Sequence, residues 1–148
     1  MSILSAAKAV LEADATLLAT ATGGIYDINE SGALGINRQT TTGAFDSNGL
    51  LKPCVLLRAR ALVPDFQLRD ASGQYSSARQ TLEVWLYQDN GYTSIDTMKA
   101  RIYALLHEKQ LTGTFLVSWA GGSGENFDWE LRACVEREDY LANTWRNV

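Results

Sequence analysis

Gln80-Thr-Leu-Glu-Val-Trp-Leu-Tyr87, then Asp89-Asn-Gly91, then Thr93-Ser-Ile-Asp-Thr-Met-Lys-Ala-Arg-Ile-Tyr-Ala-Leu-Leu-His-Glu-Lys-Gln-Leu111, is the stretch whose reading decides the fold. In its first part Leu82, Val84 and Leu86 fall on one face and Thr81, Glu83, Trp85 and Tyr87 on the other, the period-two pattern of a strand with one buried face. Asp89, Asn90 and Gly91 tolerate positive φ and break the strand. Thr93 with Asp96 three positions later has the form of a capping-box variant opening a helix. Ile95, Met98, Ile102, Leu105 and Leu106 then recur at three- and four-residue spacing, which places one apolar stripe on that helix, with Gly113 as the expected stop. Neither apolar surface can stay in water cheaply, so the stripe is expected to lie on the Leu82/Val84/Leu86 face.

Working outward, residues 3–18 carry helical periodicity, with Ile3, Ala7, Val10 and Leu11 opposite Lys8 and Glu12; Asp14 is placed to cap a second short turn holding Leu17 and Leu18. Gly23-Gly24 ends it and Ile25-Tyr-Asp-Ile28 reads as a short strand. Residues 29–52 are polar and rich in Gly, Ser, Thr and Asn, a connection of a length that is functional or disordered in isolation. Residues 53–63 follow as a strand, with Val55, Leu57, Ala59 and Ala61 on one face and Leu56, Arg58, Arg60 and Leu62 on the other. Pro64 is the expected end of it. Residues 65–79 form a second long connection, an extended hairpin if its flanking strands pair. After the helix, 114–119 is a strand with Phe115, Val117 and Trp119 on one side, 120–128 a flexible loop, and 129–140 a last strand beside 115–119; 141–148 is a short polar tail. These elements predict one α+β domain over 1–148: a mostly antiparallel sheet of about four to five strands, two helices on one face, and long inter-strand loops.

Composition narrows the function. The chain has 148 residues, 46% hydrophobic and 20% charged, which suits a core that needs no staples. A net charge of −4 argues against a sequence-independent grip on nucleic acid phosphates. Lys8 and Glu12 interrupt the N-terminal apolar run, so neither a signal peptide nor a membrane span is expected there. Cys54 and Cys134 stand far apart in apolar contexts and are expected as free buried thiols, which points to the cytosol.

Chemistry is hard to assemble. The single histidine, His107, near a helix C-terminus, is read as a cation favoured by the dipole. One His and two distant Cys give no zinc spacing. Gly121-Gly-Ser-Gly-Glu125 fails the nucleophile-elbow pattern at its last position, and neither a phosphate loop nor a dinucleotide fingerprint occurs. No cofactor and no metal is expected. Glu125, Asp128, Glu130, Glu136, Glu138 and Asp139 could do acid–base work, but Arg132 and Arg137 interleave them, which favours a charge-paired face. Arg58, Arg60, Arg69 and Arg79 gather elsewhere and could meet that acidic segment on a neighbouring copy. Large rings are numerous: Tyr75, Trp85, Tyr87, Tyr92, Trp119 and Trp129. They either cover the second sheet face or sit in an interface between subunits, where Tyr, Trp and Arg are enriched.

Taken together, the N-terminal helix leading into Asp14-Ala-Thr-Leu-Leu18, Gly24-Ile-Tyr26, Lys52-Pro-Cys-Val-Leu-Leu-Arg58, the Leu82-Glu-Val-Trp-Leu-Tyr87 strand, the Ile95…Met98…Ile102-Tyr-Ala-Leu-Leu106 helix and the closing strand pair resemble the tail terminator (tail-completion, or tail-to-head joining) proteins of long-tailed bacteriophages. The likeness spans most of the chain and lies in element order rather than in a fixed motif. It implies a non-enzymatic virion subunit, assembled in the host cytoplasm. It implies a ring of six copies that caps the tail tube, ends its polymerisation and joins the tail to a head-completion or connector (stopper) protein. DNA would pass through the lumen without specific binding. Candidate contacts are Arg38, Phe45, Arg58, Arg60, Phe66, Arg69, Asp70, Tyr75, Arg79, Trp85, Tyr87, Glu125, Phe127, Trp129, Glu136 and Glu138. The alternatives are another neck or tail component, such as a stopper or a tube subunit, and a small enzyme using the 125–139 carboxylates.

Overall fold

The computed structural model describes residues 2–69, 75–114 and 116–147. In chain order the helices are α1 (Ile3–Glu12), α2 (Ala15–Thr20), the single turn α3 (Ile28–Ser31) and α4 (Thr93–Leu106). The strands are β1 (Ile25–Asp27), β2 (Cys54–Ala59), β3 (Val63–Arg69), β4 (Tyr75–Gln88), β5 (Leu116–Gly122), β6 (Asn126–Asp128) and β7 (Ala133–Asn147).

Two long strands make the frame. β4 and β7 pair antiparallel over their length, from Tyr75 opposite Asn147 to Gln88 opposite Cys134. Shorter strands line the outer edges of this ribbon. Along β4 lie β2, opposite Leu82 to Tyr87, and β3, opposite Ser76 to Arg79; β1 adds parallel to β2. Along β7 lie β6 near its start and β5 farther on. The result is a seven-stranded, mostly antiparallel sheet in an α+β fold.

Register decides which side chains share a face. Leu82, Val84 and Leu86 stand beside Val55 and Leu57 of β2 and Tyr140 of β7, all buried. α1, α2 and α4 cover this face: Leu11 and Leu17, with Ile95, Met98, Ile102 and Leu106 from the expected stripe, close one apolar cluster. Each such fully buried chain contributes about 1.5–3 kcal/mol relative to exposure. The strand-plus-helix unit read from residues 80–106 is therefore the centre of the molecule.

Several boundaries differ from the sequence reading, each for a local reason. α4 opens without a side-chain cap of its own: Thr93 and Asp96 make no capping box, and Gln88 Oε1, from the end of β4, accepts from the backbone N–H of Ser94 (2.8 Å) and Ile95 (3.2 Å). The helix stops at Leu106, well before Gly113, because the next residues pair with β5: Glu108 N–H donates to the Val117 carbonyl and Val117 N–H to that of Lys109, both at 2.8 Å. Glu108 takes a φ of 56° to make that exit. Pro64 does not end a strand; it lies within β3, which borders only β4 and so offers an edge position where the missing N–H costs nothing. The expected loop 120–128 shrinks to residues 123–125, since both its ends pair with β7. The expected polar tail from Leu141 onward is the second half of β7, and β7 pairs chiefly with β4, with β5 on its other side.

Cys54 and Cys134 are free and buried, as expected, and burial pushes the Cys54 thiol up to about 12. Among the described residues no helix is long and apolar enough to cross a membrane.

Asp14 caps α2 by accepting from Leu17 N–H at 2.8 Å, and it receives two hydrogen bonds from Arg101 of α4, at 2.8 and 2.6 Å. The Arg101 guanidinium holds the Asp14 carboxyl down at about 2, against an ordinary 3.8. A depressed carboxylate contributes stability above its unfolded value and loses it as pH falls through the folded one. Asp14→Asn keeps a capping oxygen but removes the charge. The difference in Tm between the wild type and Asp14→Asn should therefore be constant above pH ~5 and shrink towards zero between roughly pH 4 and pH 2, followed by thermal denaturation at stepped pH.

Candidate functional site

The second face of the sheet carries Leu56 and Arg58 of β2, Glu83, Trp85 and Tyr87 of β4, and Val135, Arg137 and Asp139 of β7. At one end it is covered by the chain's own first long connection. Ile36, Ala44 and Leu51 are buried there with Cys54, Leu56, Tyr87, Ala133 and Val135 as a second apolar cluster. The connection is built from turns that its polar residues close. Asn37 Oδ1 accepts from Gln39 and Thr40 N–H (2.8 and 2.9 Å), Thr41 Oγ1 donates to the Asn37 carbonyl (2.7 Å), and Asp46 Oδ1 accepts from Asn48 and Leu50 N–H (2.8 and 3.0 Å). The polar composition that reads as an unanchored loop is the hydrogen-bonding inventory of a packed one.

Between this connection and the β6–β7 turn runs a groove of about 500 Å³. Leu34 to Gln39 form one wall, Arg58, Trp85 and Tyr87 the floor, and Asp128, Glu130 and Leu131 the other wall. Four of the sequence candidates, Arg38, Arg58, Trp85 and Tyr87, meet here. Arg58 lies 5.9 Å from the Trp85 ring centroid and Arg137 5.6 Å from it. The Arg58 guanidinium passes under Gly35, whose φ is 70° and where an added Cβ would sit 3.1 Å from Arg58 Nη2; a side chain there would be strained and would crowd the groove. Arg38 stacks over Phe45 at 4.8 Å and donates to the Gly49 carbonyl at 3.0 Å.

Beyond the groove the face becomes a charge ladder. Arg60 donates to Glu83 at 2.6 Å and lies 3.8 Å from Asp139, which Arg137 approaches at 3.1 Å; Trp85 Nε1 donates to Glu83 at 3.1 Å. Burial pushes the Glu83 carboxyl up, but the Arg60 and Trp85 hydrogen bonds outweigh it and hold it below its ordinary value.

The acidic segment does not converge. Strand alternation sends Glu136 and Glu138 to the helix-covered face and Asp139 to the other. Glu136 is buried and receives Lys99 at 3.1 Å; Glu138 accepts the Trp119 indole N–H. Glu125 lies in the β5–β6 turn, Asp128 at the end of β6 and Glu130 in the β6–β7 turn. Among the described residues no group of three His, Cys, Asp or Glu side chains is placed to hold a metal.

Other candidates lie at the periphery. Phe127 and Trp129 form an edge-to-face pair at 4.7 Å, and Trp129 is 81% exposed, the most exposed large apolar side chain described. Arg79 is exposed on β4. Asp70 lies outside the described residues, as do the side chains of Phe66, Arg69 and Tyr75. A further aromatic patch joins Trp119, one of the large rings picked out in the sequence, to Tyr103, which was not. His107 caps the end of α4, stacks on Tyr103 at 4.5 Å and accepts the Trp119 backbone N–H at 2.9 Å through Nδ1, so it ties β5 to the helix. Tyr103 lies just off the buried stripe and so carries no signal that separates it from core.

No family model matches the chain, and no curated protein matches it. Among solved structures it is similar to a chain in the virion of a native gene transfer agent (GTA) particle, with a TM-score of 0.71 and 15% sequence identity, covering 98% of this chain and 96% of that one. At that identity the likeness is one of fold, and it runs from end to end.

The groove wall gives a direct test. If the 29–52 connection is part of the folded core, Ile36→Ala should cost about 2–5 kcal/mol in urea unfolding, the range for large-to-small changes at buried sites; a cost near zero would mean that the connection rides loosely on the sheet.

Proposed function

We propose that the chain is a structural subunit of a phage-like virion, and within that class a tail terminator. In this reading several copies, six by the family resemblance, close into a ring that caps the tail tube, ends its growth and offers its other surface to a head-completion or connector protein. The observation that carries the reading is the end-to-end fold likeness to a chain of a gene transfer agent virion. The resemblance in element order to tail terminators refines it.

The surface supports an assembly role. Leu34 on the groove wall, Leu50, and the Phe127–Trp129 pair, whose Phe127 stands opposite Cys134 on the β6 edge, are exposed large apolar side chains, at 70%, 52%, 40% and 81%. Of these, Trp129 is of the residue type enriched among those that dominate interface energies. The net charge of −4 per chain also fits a ring through which a polyanion slides, since a lumen short of Lys and Arg does not trap phosphate. The carboxylates that would serve an enzyme are divided between the two sheet faces, β6 and the turns flanking it, and the two on the helix side are already engaged.

Native mass spectrometry and negative-stain images of the purified chain test the reading. Closed rings are expected. Extended tubes would move the chain to the tube-subunit class, and a strict monomer with no affinity for tail tubes would sink the proposal. Trp129→Ala should leave Tm unchanged within error while weakening self-association by about 2 kcal/mol or more, as an exposed anchor residue does.

A further inference from the structure

A second cavity, of about 460 Å³, opens between α4 and the β5–β7 edge on the helix-covered side of the sheet. Its walls are aromatic and its polar groups are few. Tyr103, held upright by its stack on His107, presents its edge to Trp119 at 6.4 Å. Trp119 is 46% exposed and Tyr103 44%, so both rings line the mouth of the cavity. Beneath them lie Glu138 and Tyr140. Tyr140 is fully buried, yet its hydroxyl has no hydrogen-bond partner among the described residues. A hydroxyl withdrawn from water without a partner costs about 1–3 kcal/mol, so the site is built at a loss unless something completes it.

The charges around the cavity indicate what that something is. Lys99, the cation among the described lining residues, is engaged by Glu136 at 3.1 Å and by Asp96 at 3.4 Å. Among the described residues Glu138 has the Trp119 indole N–H as its one hydrogen-bond partner, and the neighbourhood of Asp96, Glu136, Glu138 and Lys99 is net negative. A carboxylate under two electron-rich rings, with a tyrosine oxygen able to accept, is complementary to a cation with several donors. A guanidinium fits best: it stacks on Trp and Tyr faces and its fork of N–H groups can serve a carboxylate and a hydroxyl oxygen together.

We propose that this cavity takes an arginine side chain from a second copy of the chain. The proposal rests on the ring reading above, since a closed ring of identical subunits joins one surface patch of each copy to a different patch of the next. The chain has suitable donors. Arg60, Arg101 and Arg137 are ion-paired internally, Arg38 is bonded to the Gly49 carbonyl and Arg58 is tucked under Gly35. Arg79 on β4 and Arg132 in the β6–β7 turn are exposed and form no ion pair among the described residues. An arginine presented by one copy would pair with Glu138 of the next and satisfy the Tyr140 hydroxyl.

The test has two arms on the full-length chain. In the first, N-acetyl-L-arginine amide is titrated while the Trp119 indole N–H resonance is followed, assigned by its loss in Trp119→Phe. A saturable shift is expected with the arginine probe, absent with N-acetyl-L-norleucine amide and lost in Glu138→Gln. In the second arm, self-association is measured by native mass spectrometry and sedimentation. Glu138→Gln should weaken it at least tenfold. Tyr140→Phe, which removes only an unpartnered hydroxyl and so leaves the free chain no less stable, should weaken it several-fold. Either Arg79→Gln or Arg132→Gln should reproduce the Glu138→Gln loss and add nothing to it in the double variant. The proposal is overturned if the two probes behave alike, if Glu138→Gln associates as the wild type does, or if neither arginine variant couples to it. A wild-type monomer that still shows the saturable, Glu138-dependent shift would overturn the ring and the second-copy occupant while leaving the guanidinium preference of the cavity standing.

Discussion

The fourteen-position pairing of β4 with β7 is the constraint on which the rest of the molecule depends. Because side chains alternate along a strand, fixing that one register assigns every residue of both strands to a face, and a slip of one position would exchange the faces. It puts Leu82, Val84 and Leu86 beside Tyr140 under α4, and Trp85 beside Arg137 and Glu83 beside Asp139 on the other side. The shorter strands inherit their registers from it: β2 and β3 share the outer edge of β4, while β6 and β5 share that of β7. The burial of the Leu82/Val84/Leu86 face by the α4 stripe removes the most apolar surface, and it is also what forbids the slip.

The same parity explains why so acidic a segment makes no acid–base site. Glu136, Glu138 and Asp139 are neighbours in sequence, but the last is carried to the opposite face of the sheet. There Asp139 joins Arg60, Glu83 and Arg137 in an alternating ladder, in which each charge has an opposite neighbour and the face can stay partly wet without repulsion. On the helix side Glu136 is neutralised by Lys99. Interleaving Arg137 between Glu136 and Glu138 in the sequence is what supplies the ladder, so the spacing that weakened the catalytic reading also encodes the structural one.

The centre of the fold was legible because its signals are strong and local. The period-two run at 81–87 and the helical stripe at 95–106 each bury one apolar face, and each element forms where its pattern says. Asp14 as an N-cap and the free buried thiols were legible for the same reason. Boundaries governed by partners distant in sequence were not. The exit of α4 at Leu106 is set by the hydrogen bonds from Glu108 N–H to the Val117 carbonyl and from Val117 N–H to the Lys109 carbonyl, and its entry by Gln88; neither is visible within a helical window. β3 and β6 are strands because β4 and β7 are long enough to template them, and the length of β7 was hidden because Leu141 to Asn147 alternates only weakly. The 29–52 connection misleads for another reason. Three small or aliphatic anchors, Ile36, Ala44 and Leu51, suffice to seat it once Asn37, Thr41 and Asp46 have closed its turns, and anchors spaced that widely have no period to detect. Of the candidate surface, the groove residues Arg38, Arg58, Trp85 and Tyr87 were singled out in advance, as was the Trp119 ring, whereas Tyr103 looks like core until the helix and β5 are placed side by side.

What remains exposed after the fold is complete bears on its role. The two apolar clusters take up the aliphatic side chains on both faces of the sheet, yet Leu34 stays exposed on the groove wall, Trp119 and Tyr103 stay at the mouth of the second cavity, and Leu50 and Trp129 stay exposed elsewhere. A chain selected only to fold alone gains nothing from large rings held in water, since each forfeits the transfer free energy that burial supplies. The groove and the second cavity also lie on opposite sides of the sheet, one on the face of Trp85 and the other on that of Tyr140. An isologous contact joins a patch to its own copy and would need only one of them. Two different sticky patches on opposite sides are what a head-to-tail arrangement uses, and a head-to-tail arrangement of identical subunits ends either in a closed ring or in a filament. In the ring proposed above, the geometry of the two patches, more than their hydrophobicity, would be what joins one copy to the next.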